Sequence, residues 1–368
     1  MRNRLYFYLL SVIKGKRRGI MGMVLRAFLH LPSLCFCLIA HLRNFLYDRK
    51  IRSHFSAPVP LVISIGNIVA GGTGKTPFTL LLAEEFYKKH AVAILSRGYC
   101  SPAESLKQPL LVSQGNGPLY PASYCGDEPY LLADNLPQSI VVAGKNRKAA
   151  ALLAVSQGAE VILLDDGMQH RRLARDFDIA VVNAQDPFGG GYFLPRGLLR
   201  EGAASLSRAH LIVVNHVASS EQFAALQQML RPFTQAAMIG TRTVPFRTLL
   251  LSTRTSTSIQ GKSIGMLSSI ANPDHFLATL SAQEATVVDQ YCVPDHMPFS
   301  AEQLHLFSDK CKQQGAEFLA CTEKDAVKLP QLETSLPIAV VHIRLQIVEG
   351  LDRWQQFITE TKMKILQP

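Results

Sequence analysis

The stretch from Leu61 to Glu84 limits what this chain can fold into more than any other. An apolar run, Pro60–Ile65, reads as a buried strand, and a glycine-rich loop, Lys75-Thr76 and an apolar-periodic helix follow. Strand, glycine loop, Lys-Thr and helix in this order describe a phosphate-binding loop. Glycine lets backbone N–H groups approach and cradle phosphate oxygens, and the helix N-terminus adds partial positive charge. In that reading Lys75 reaches the β- and γ-phosphates of a nucleoside triphosphate and the Thr76 hydroxyl holds Mg²⁺. The cradle itself is Val69-Ala70-Gly71-Gly72-Thr73-Gly74-Lys75-Thr76. The standard pattern G-x-x-x-x-G-K-[ST] wants glycine where Val69 stands. The match is closer to a variant with a G-G-x-G-K-T core, which usually carries lysine at the position of Ala70. A glycine-rich turn that binds nothing is the plainer alternative. It is disfavoured because Lys-Thr follows the last glycine at the helix start, where the mechanism needs it.

Downstream, strand and helix patterns alternate. Strands are expected at Ala91–Leu95, Ser139–Ala143, Val161–Leu164, Ile179–Asn183 and Leu211–Asn215, and a helix at Asn146–Gln157. Residues 101–123, rich in Pro, Ser and Gly, read as a loop. Such alternation implies an α/β fold with a mostly parallel sheet covered by helices on both faces, like that of P-loop NTPases. Near residue 241 the pattern turns extended. A smaller C-terminal α/β segment follows, with strands near Ser263–Met266, Glu317–Ala320 and Ile338–Ile343. Its helices are expected near His275–Ala282, Ala301–Gln314 and Leu351–Lys362. The expected division is 1–50, a basic-apolar membrane-associating helical segment; 51–240, a P-loop core; and 241–368, a smaller domain closing on it.

The net charge of +10 is not spread evenly. Residues 1–50 hold ten of the 38 Lys/Arg and one of the 28 Asp/Glu, and the rest of the chain is nearly balanced. That excludes a protein basic throughout, of the kind that coats nucleic acid. The N-terminal cluster Lys14, Lys16, Arg17, Arg18 is followed by the largely apolar Ile20–Leu46, broken by Arg26, His30, Pro32, His41 and Arg43. One or two amphipathic helices lying in an anionic interface fit this pattern. A spanning helix and a helix packed on the protein's own core are the alternatives. Seven scattered cysteines without C-x-x-C spacing argue against a disulfide framework or a zinc site and fit a reducing cytosol.

Four apolar residues, Val161–Leu164, end in Asp165-Asp166. Beside a phosphate loop this reads as the acidic strand end that holds Mg²⁺, although Asp pairs also begin ordinary turns. Gly126-Asp127-Glu128-Pro129 opens a helix, where acidic residues are also favoured as caps. A kinase acting on a hydroxyl needs a carboxylate to take or orient the acceptor's proton, and Asp127 is the candidate. Gln169-His170-Arg171-Arg172 and Pro195–Glu201 gather cations near the same edge and, as a set, suit a phosphate clamp or a phosphorylated acceptor. Singly, each arginine is better read as solvated surface. Pro294-Asp295-His296-Met297-Pro298-Phe299 is a loop with an Asp-His pair. Thr322–Lys328 (T-E-K-D-A-V-K) mixes charges after a strand, and spacing alone gives it no role.

Taken in order, GNIVAGGTGKTP, LSRGY, GDEP, LLDDGMQHRRL, PFGGGYFLPRGLLRE, PDH.PF and TEKDAVK resemble the tetraacyldisaccharide 4'-kinase (lipid A 4'-kinase) family over roughly residues 55–330. The resemblance implies transfer of the ATP γ-phosphate to the 4'-hydroxyl of an acylated glucosamine disaccharide 1-phosphate. It implies Mg²⁺ as cofactor and the cytoplasmic face of the Gram-negative inner membrane as the place of action. It also implies Asp127 as the catalytic carboxylate, His296 as its partner from the second domain, and Lys75 as the stabiliser of transferring charge. Thr76 with Asp165, and Asp166 or Glu128, would serve Mg²⁺. Arg147, Gln169, Arg200 and Lys324 would make further contacts. The chain departs from the family pattern at Cys100 (usually Gly), Met297 (commonly a second His) and Arg196 (frequently small). A monomer without nucleic-acid partners is expected. The rival readings are a membrane-associated regulatory P-loop NTPase and a non-catalytic nucleotide-binding adaptor.

Overall fold

The computed structural model describes residues 11–13, 19–270, 273–295, 297–330 and 332–366. The basic cluster Lys14–Arg18 and His296 lie outside the described residues.

Among the described residues twelve strands form one sheet: β1 (Leu61–Gly66), β2 (Val92–Ser96), β3 (Leu110–Gln114), β4 (Ile140–Ala143), β5 (Val161–Asp165), β6 (Phe177–Asn183), β7 (Leu211–Asn215), β8 (Ala237–Leu250), β9 (Ser263–Ser268), β10 (Thr286–Cys292), β11 (Phe318–Thr322) and β12 (Ile338–Glu349). Their order is β10-β9-β11-β12-β8-β7-β6-β1-β5-β2-β4-β3. The central strands are unbroken apolar runs. Every residue of β1, β2, β5 and β7 is buried, as expected where helices cover both faces of a parallel sheet. β3 is a short antiparallel edge strand on β4, inside the stretch expected to be loop. Its residues Leu110 and Leu111 are only half-buried, so its pattern is faint.

All neighbours pair in parallel except β3–β4 and β8–β12. The second exception shapes the molecule. Residues 237–241 of β8 pair with β7, and residues 240–250 continue beyond that sheet's carboxyl edge to pair with β12 running the other way. β11, β9 and β10 run parallel to β12. The carboxyl ends of the second set of strands are therefore turned back toward the carboxyl ends of the first. Open α/β sheets bind ligands at carboxyl ends, so both halves offer that edge to one cleft.

The expected boundary near 240 falls within β8. The last helix, Leu351–Leu366, returns across it: Trp354, Phe357 and Ile358 join the core formed by β1, β6, β7 and the helix Lys75–Glu84. Trp354 meets Phe78 edge-on at 5.7 Å, a favoured aromatic geometry.

Near the N-terminus, Ile20–Phe28 and His30–Asp48 form two helices with a slight break at Leu29. Together they are long and apolar enough, by length and composition, to cross a membrane. The second helix is two-sided. Ser33, Ala40 and Tyr47 face the protein, and Leu31, Leu34, Leu38, Ile39 and Leu42 are exposed. Docking is polar and aromatic. Ser33 Oγ donates to Phe193 O at 2.7 Å, Arg43 pairs with the fully buried Glu201, and Arg171 pairs with Asp48 at 2.7 Å.

Candidate active site

The helix Lys75–Glu84 starts after Gly74, whose φ of +90° lies in the left-handed region, as does Gly71 at +111°. Both positions require glycine. The loop between is braced from outside. Asn67 Nδ2 donates to Thr73 Oγ1 at 2.9 Å, and Asn215 Nδ2, at the end of β7, donates to Thr73 O at 3.1 Å. Asn215 is itself fixed, since its Oδ1 accepts from His216 N–H at 2.9 Å and Thr241 Oγ1 at 3.2 Å. The fit is tight enough that a Cβ on Gly74 would fall 2.0 Å from Asn215 Nδ2.

Val69 explains its departure from the standard pattern. It is buried, forms an isolated bridge with Leu199, and has no left-handed backbone to accommodate. Ala70 N–H donates to Leu198 O at 2.7 Å. Both residues are therefore tied to the segment Leu198–Leu199.

Asp165 ends β5 and is 2% exposed. Its Oδ1 accepts from Thr79 Oγ1 at 3.3 Å. Burial, with the negative charges of Glu128 and Asp166 added, pushes its carboxyl up to about 7. Asp166 has φ +53°, a left-handed conformation that strains a residue with a Cβ. Its carboxylate lies 3.4 Å from Lys75 Nζ and accepts Arg200 Nη1 at 2.9 and 2.7 Å. Burial alone would raise this carboxyl, but Lys75 and Arg200 outweigh it and hold it far below the usual range. Asp127 and Glu128 occupy the first turn of the helix Asp127–Asn135, after Gly126 at φ +101°. From the second half, Lys324 Nζ lies 3.8 Å from Glu128 Oε1 and Lys328 Nζ 3.9 Å from Asp127 Oδ2. Thr76 sits beside Lys75 in the first turn of its helix, half-buried.

This donor set fits ATP with Mg²⁺. Asp165 is pushed toward the neutral form by burial and by Glu128 and Asp166, so a cation bound beside it would offset that repulsion. Hard carboxylate and hydroxyl oxygens are the ligands Mg²⁺ prefers. Thr76, Asp165, Asp166 or Glu128 would hold it, although among the described residues no three His, Cys, Asp or Glu side chains are grouped to hold a metal ion.

The remaining polar residues named from the sequence have these partners. Arg147 is buried and donates to Gly144 O at 3.2 Å and Asp165 O at 3.1 Å, so it shapes the end of β5. Burial pushes its guanidinium down to about 10. Gln169 Nε2 holds Asn67 O at 2.8 Å. Arg171 and Arg196 turn to the N-terminal helices, the latter lying 3.6 Å over the Tyr192 ring and 2.6 Å from His30 Nδ1. Arg200 bonds a carboxylate of the acidic pair, whereas Arg147 bonds the backbone of Asp165. His170 is kept neutral by burial and by Arg147, its imidazole pushed down to about 4. Sequence reasoning missed Thr79, Asn67, Asn215 and Lys328. Thr79 was within reach, lying four residues after Lys75 on the same helix face. The asparagines carry no local signal, because their partners are distant in the chain.

A phosphate loop, an acidic strand end beside it and a parallel sheet with helices on both faces define a P-loop nucleotide-binding protein. Comparison with known proteins is more specific. The family model for tetraacyldisaccharide-1-P 4'-kinase matches residues 25–361. A tetraacyldisaccharide 4'-kinase of Anaeromyxobacter dehalogenans is 38% identical over 347 residues, covering 92% of this chain and 91% of that one. The enzyme of that name from Halothermothrix orenii is 32% identical over 344 residues, covering 89% of each. The crystal structure described as "apo" form LpxK from Aquifex aeolicus in complex with ATP superposes with a TM-score of 0.72 at 29% identity, covering 92% of this chain and 99% of that one. The chain belongs to the tetraacyldisaccharide-1-P 4'-kinase family.

Proposed function

We propose that this protein transfers the γ-phosphoryl group of ATP to the 4'-hydroxyl of an acylated glucosamine disaccharide 1-phosphate, a step of lipid A biosynthesis. The observation that carries the reading is the placement, in a chain of this family, of Asp127 in a helix first turn beside Glu128, whose charge acts on the Asp165 carboxyl at the end of β5. Backbone N–H groups from Gly71 onward and Lys75 hold the phosphate chain. Asp127 takes the proton as the hydroxyl O–H bond breaks and the new O–P bond forms. The bond from the γ-phosphorus to the β-bridging oxygen breaks, and ADP leaves. Such transfers need little covalent help from a protein, chiefly positioning and charge neutralisation. Lys75, now paired with Asp166, is within reach of the transferring phosphoryl by rotation of its flexible stem. Mg²⁺ bound by Thr76, Asp165, Asp166 or Glu128 would supply charge neutralisation of the phosphates.

The acceptor is an anionic amphiphile, so the enzyme works at a membrane surface. The exposed face of the helix His30–Asp48 and the basic balance of residues 1–50 hold the enzyme at the cytoplasmic face of the inner membrane. Residues 51–240 act as the kinase core and residues 241–368 as the smaller unit that closes on it. His296 is the proposed partner of Asp127 from that unit. The protein acts as a monomer.

Incubation with γ-labelled ATP and the acylated disaccharide 1-phosphate is expected to label the lipid. ATP turnover that ignores the lipid and leaves it unlabelled would favour a regulatory NTPase. Asp127→Ala is expected to lower lipid phosphorylation about 10²-fold or more, as for loss of a general base, with ATP binding kept. Near-normal turnover would remove Asp127 from the mechanism.

A further inference from the structure

The segment Thr322–Lys328 has no role by spacing, yet it brings two lysines to the acidic helix start. Its framework lies wholly in the second half. Thr322 Oγ1 donates to Asp325 Oδ2 at 2.8 Å and Ser269 N–H donates to Asp325 Oδ1 at 2.7 Å, fixing a fully buried carboxylate. Lys328 Nζ donates to Ser269 O at 2.5 Å and Ser269 Oγ at 3.1 Å, and lies 3.5 Å from Asp325 Oδ1. Ser269 Oγ in turn donates to Pro294 O at 3.1 Å and Met297 O at 2.8 Å, so the same node ties down the Asp-His loop. Lys324 lies between Asp295 Oδ1 at 3.2 Å and Glu128 Oε1 at 3.8 Å. The Lys328 ammonium, 4% exposed, also faces Asp127 Oδ2 at 3.9 Å across the cleft.

We propose that Lys328 is a positioning residue for the reaction: carried by the second half, it orients the Asp127 carboxylate and balances its charge once the two halves meet. The proposal rests on the reading of Asp127 as the base. Three features support it. The ammonium is held by buried, hydrogen-bonded neighbours, so its position is set before substrate arrives. Asp127 lies across the cleft on the first half, so its pairing with Lys328 depends on how the halves sit. Lys324 makes the equivalent contact to Glu128, so the segment grips both carboxylates of the helix start. A lysine serving only to neutralise Asp325 would leave Asp127 unaffected.

The test is a double-mutant comparison in the full-length enzyme with labelled ATP and the lipid acceptor. Lys328→Met is expected to lower kcat on the order of tenfold to a hundredfold, the scale of a misplaced catalytic group, with the KM for ATP held. In an Asp127→Ala background the same change is expected to add no further loss. Unchanged kcat in Lys328→Met, or losses that multiply in the double variant, would overturn the proposal. Near-normal turnover of Asp127→Ala alone would instead refute Asp127 as base and remove the proposal with it. Should Lys328→Met fail to bind ATP, the comparison is repeated in an Asp325→Asn background, where the buried carboxylate no longer needs a cation.

Discussion

Adjacent carboxylates at the end of β5 are driven in opposite directions by a single backbone feature. Asp165 keeps the strand conformation and stays inside, where Thr79 donates to its side chain. Asp166 turns left-handed and meets Lys75 and Arg200. The consequence for Asp165 is testable. The folded protein keeps a proton there up to about pH 7, whereas an unfolded aspartate releases it near the usual value of about 4. Within that window the folded state binds more protons, so this residue makes stability fall as pH rises. Asp165→Asn is expected to remove that fall. The magnesium-free variant should then melt higher than the parent at pH 8, but close to it at pH 4. Melting curves at both pH values check this, and a gap that does not widen with pH would refute it. Cys100 shows the same backbone logic on the surface. Its φ of +57° lies in the left-handed region that favours glycine.

At the scale of elements, the phosphate loop depends on both its own glycines and its brace. Gly74→Ala would put a Cβ into Asn215 and onto a left-handed backbone. Left-handed backbone alone costs roughly 1–2 kcal/mol. ATP affinity is expected to fall at least tenfold with the fold retained, read by titration calorimetry, and unchanged affinity would argue against the brace. The helix His30–Asp48 has its own consequence. Deleting residues 1–50 should release the protein from vesicles of anionic lipid, and co-sedimentation at the parent's level would place the membrane contact elsewhere. The ribbon of β8 and β12 was the least legible element. Its Thr- and Arg-rich sequence signals extension near residue 241, but the length of β8, which runs from one half into the other, follows from partners on both sides.

Across the whole molecule, the two halves are not independent beads. The chain crosses at β8, builds the second half, and comes back along β12 to lay Leu351–Leu366 on the first core. Trp354→Ala, at a 4% exposed position, is expected to destabilise by roughly 3–5 kcal/mol and to lower the melting of the nucleotide-binding half. ATP protection against heat measures that half directly, and a parent-like melt would show that the helix is dispensable there. The sequence by itself determined the phosphate loop, the alternating α/β pattern, the acidic strand end and the family, because each is written in neighbouring residues: glycine spacing, apolar runs, a carboxylate pair. Only the tertiary structure decided that Val69 and Ala70 are tied to Leu199 and Leu198, that Asn67 and Asn215 brace the loop, and that Arg171 and Arg196 serve the N-terminal helices. It alone turned the two sets of strand ends toward each other and brought Lys328 to Asp127. Those outcomes depend on pairs of residues up to some two hundred positions apart, and no local propensity encodes which distant partner satisfies a buried polar group.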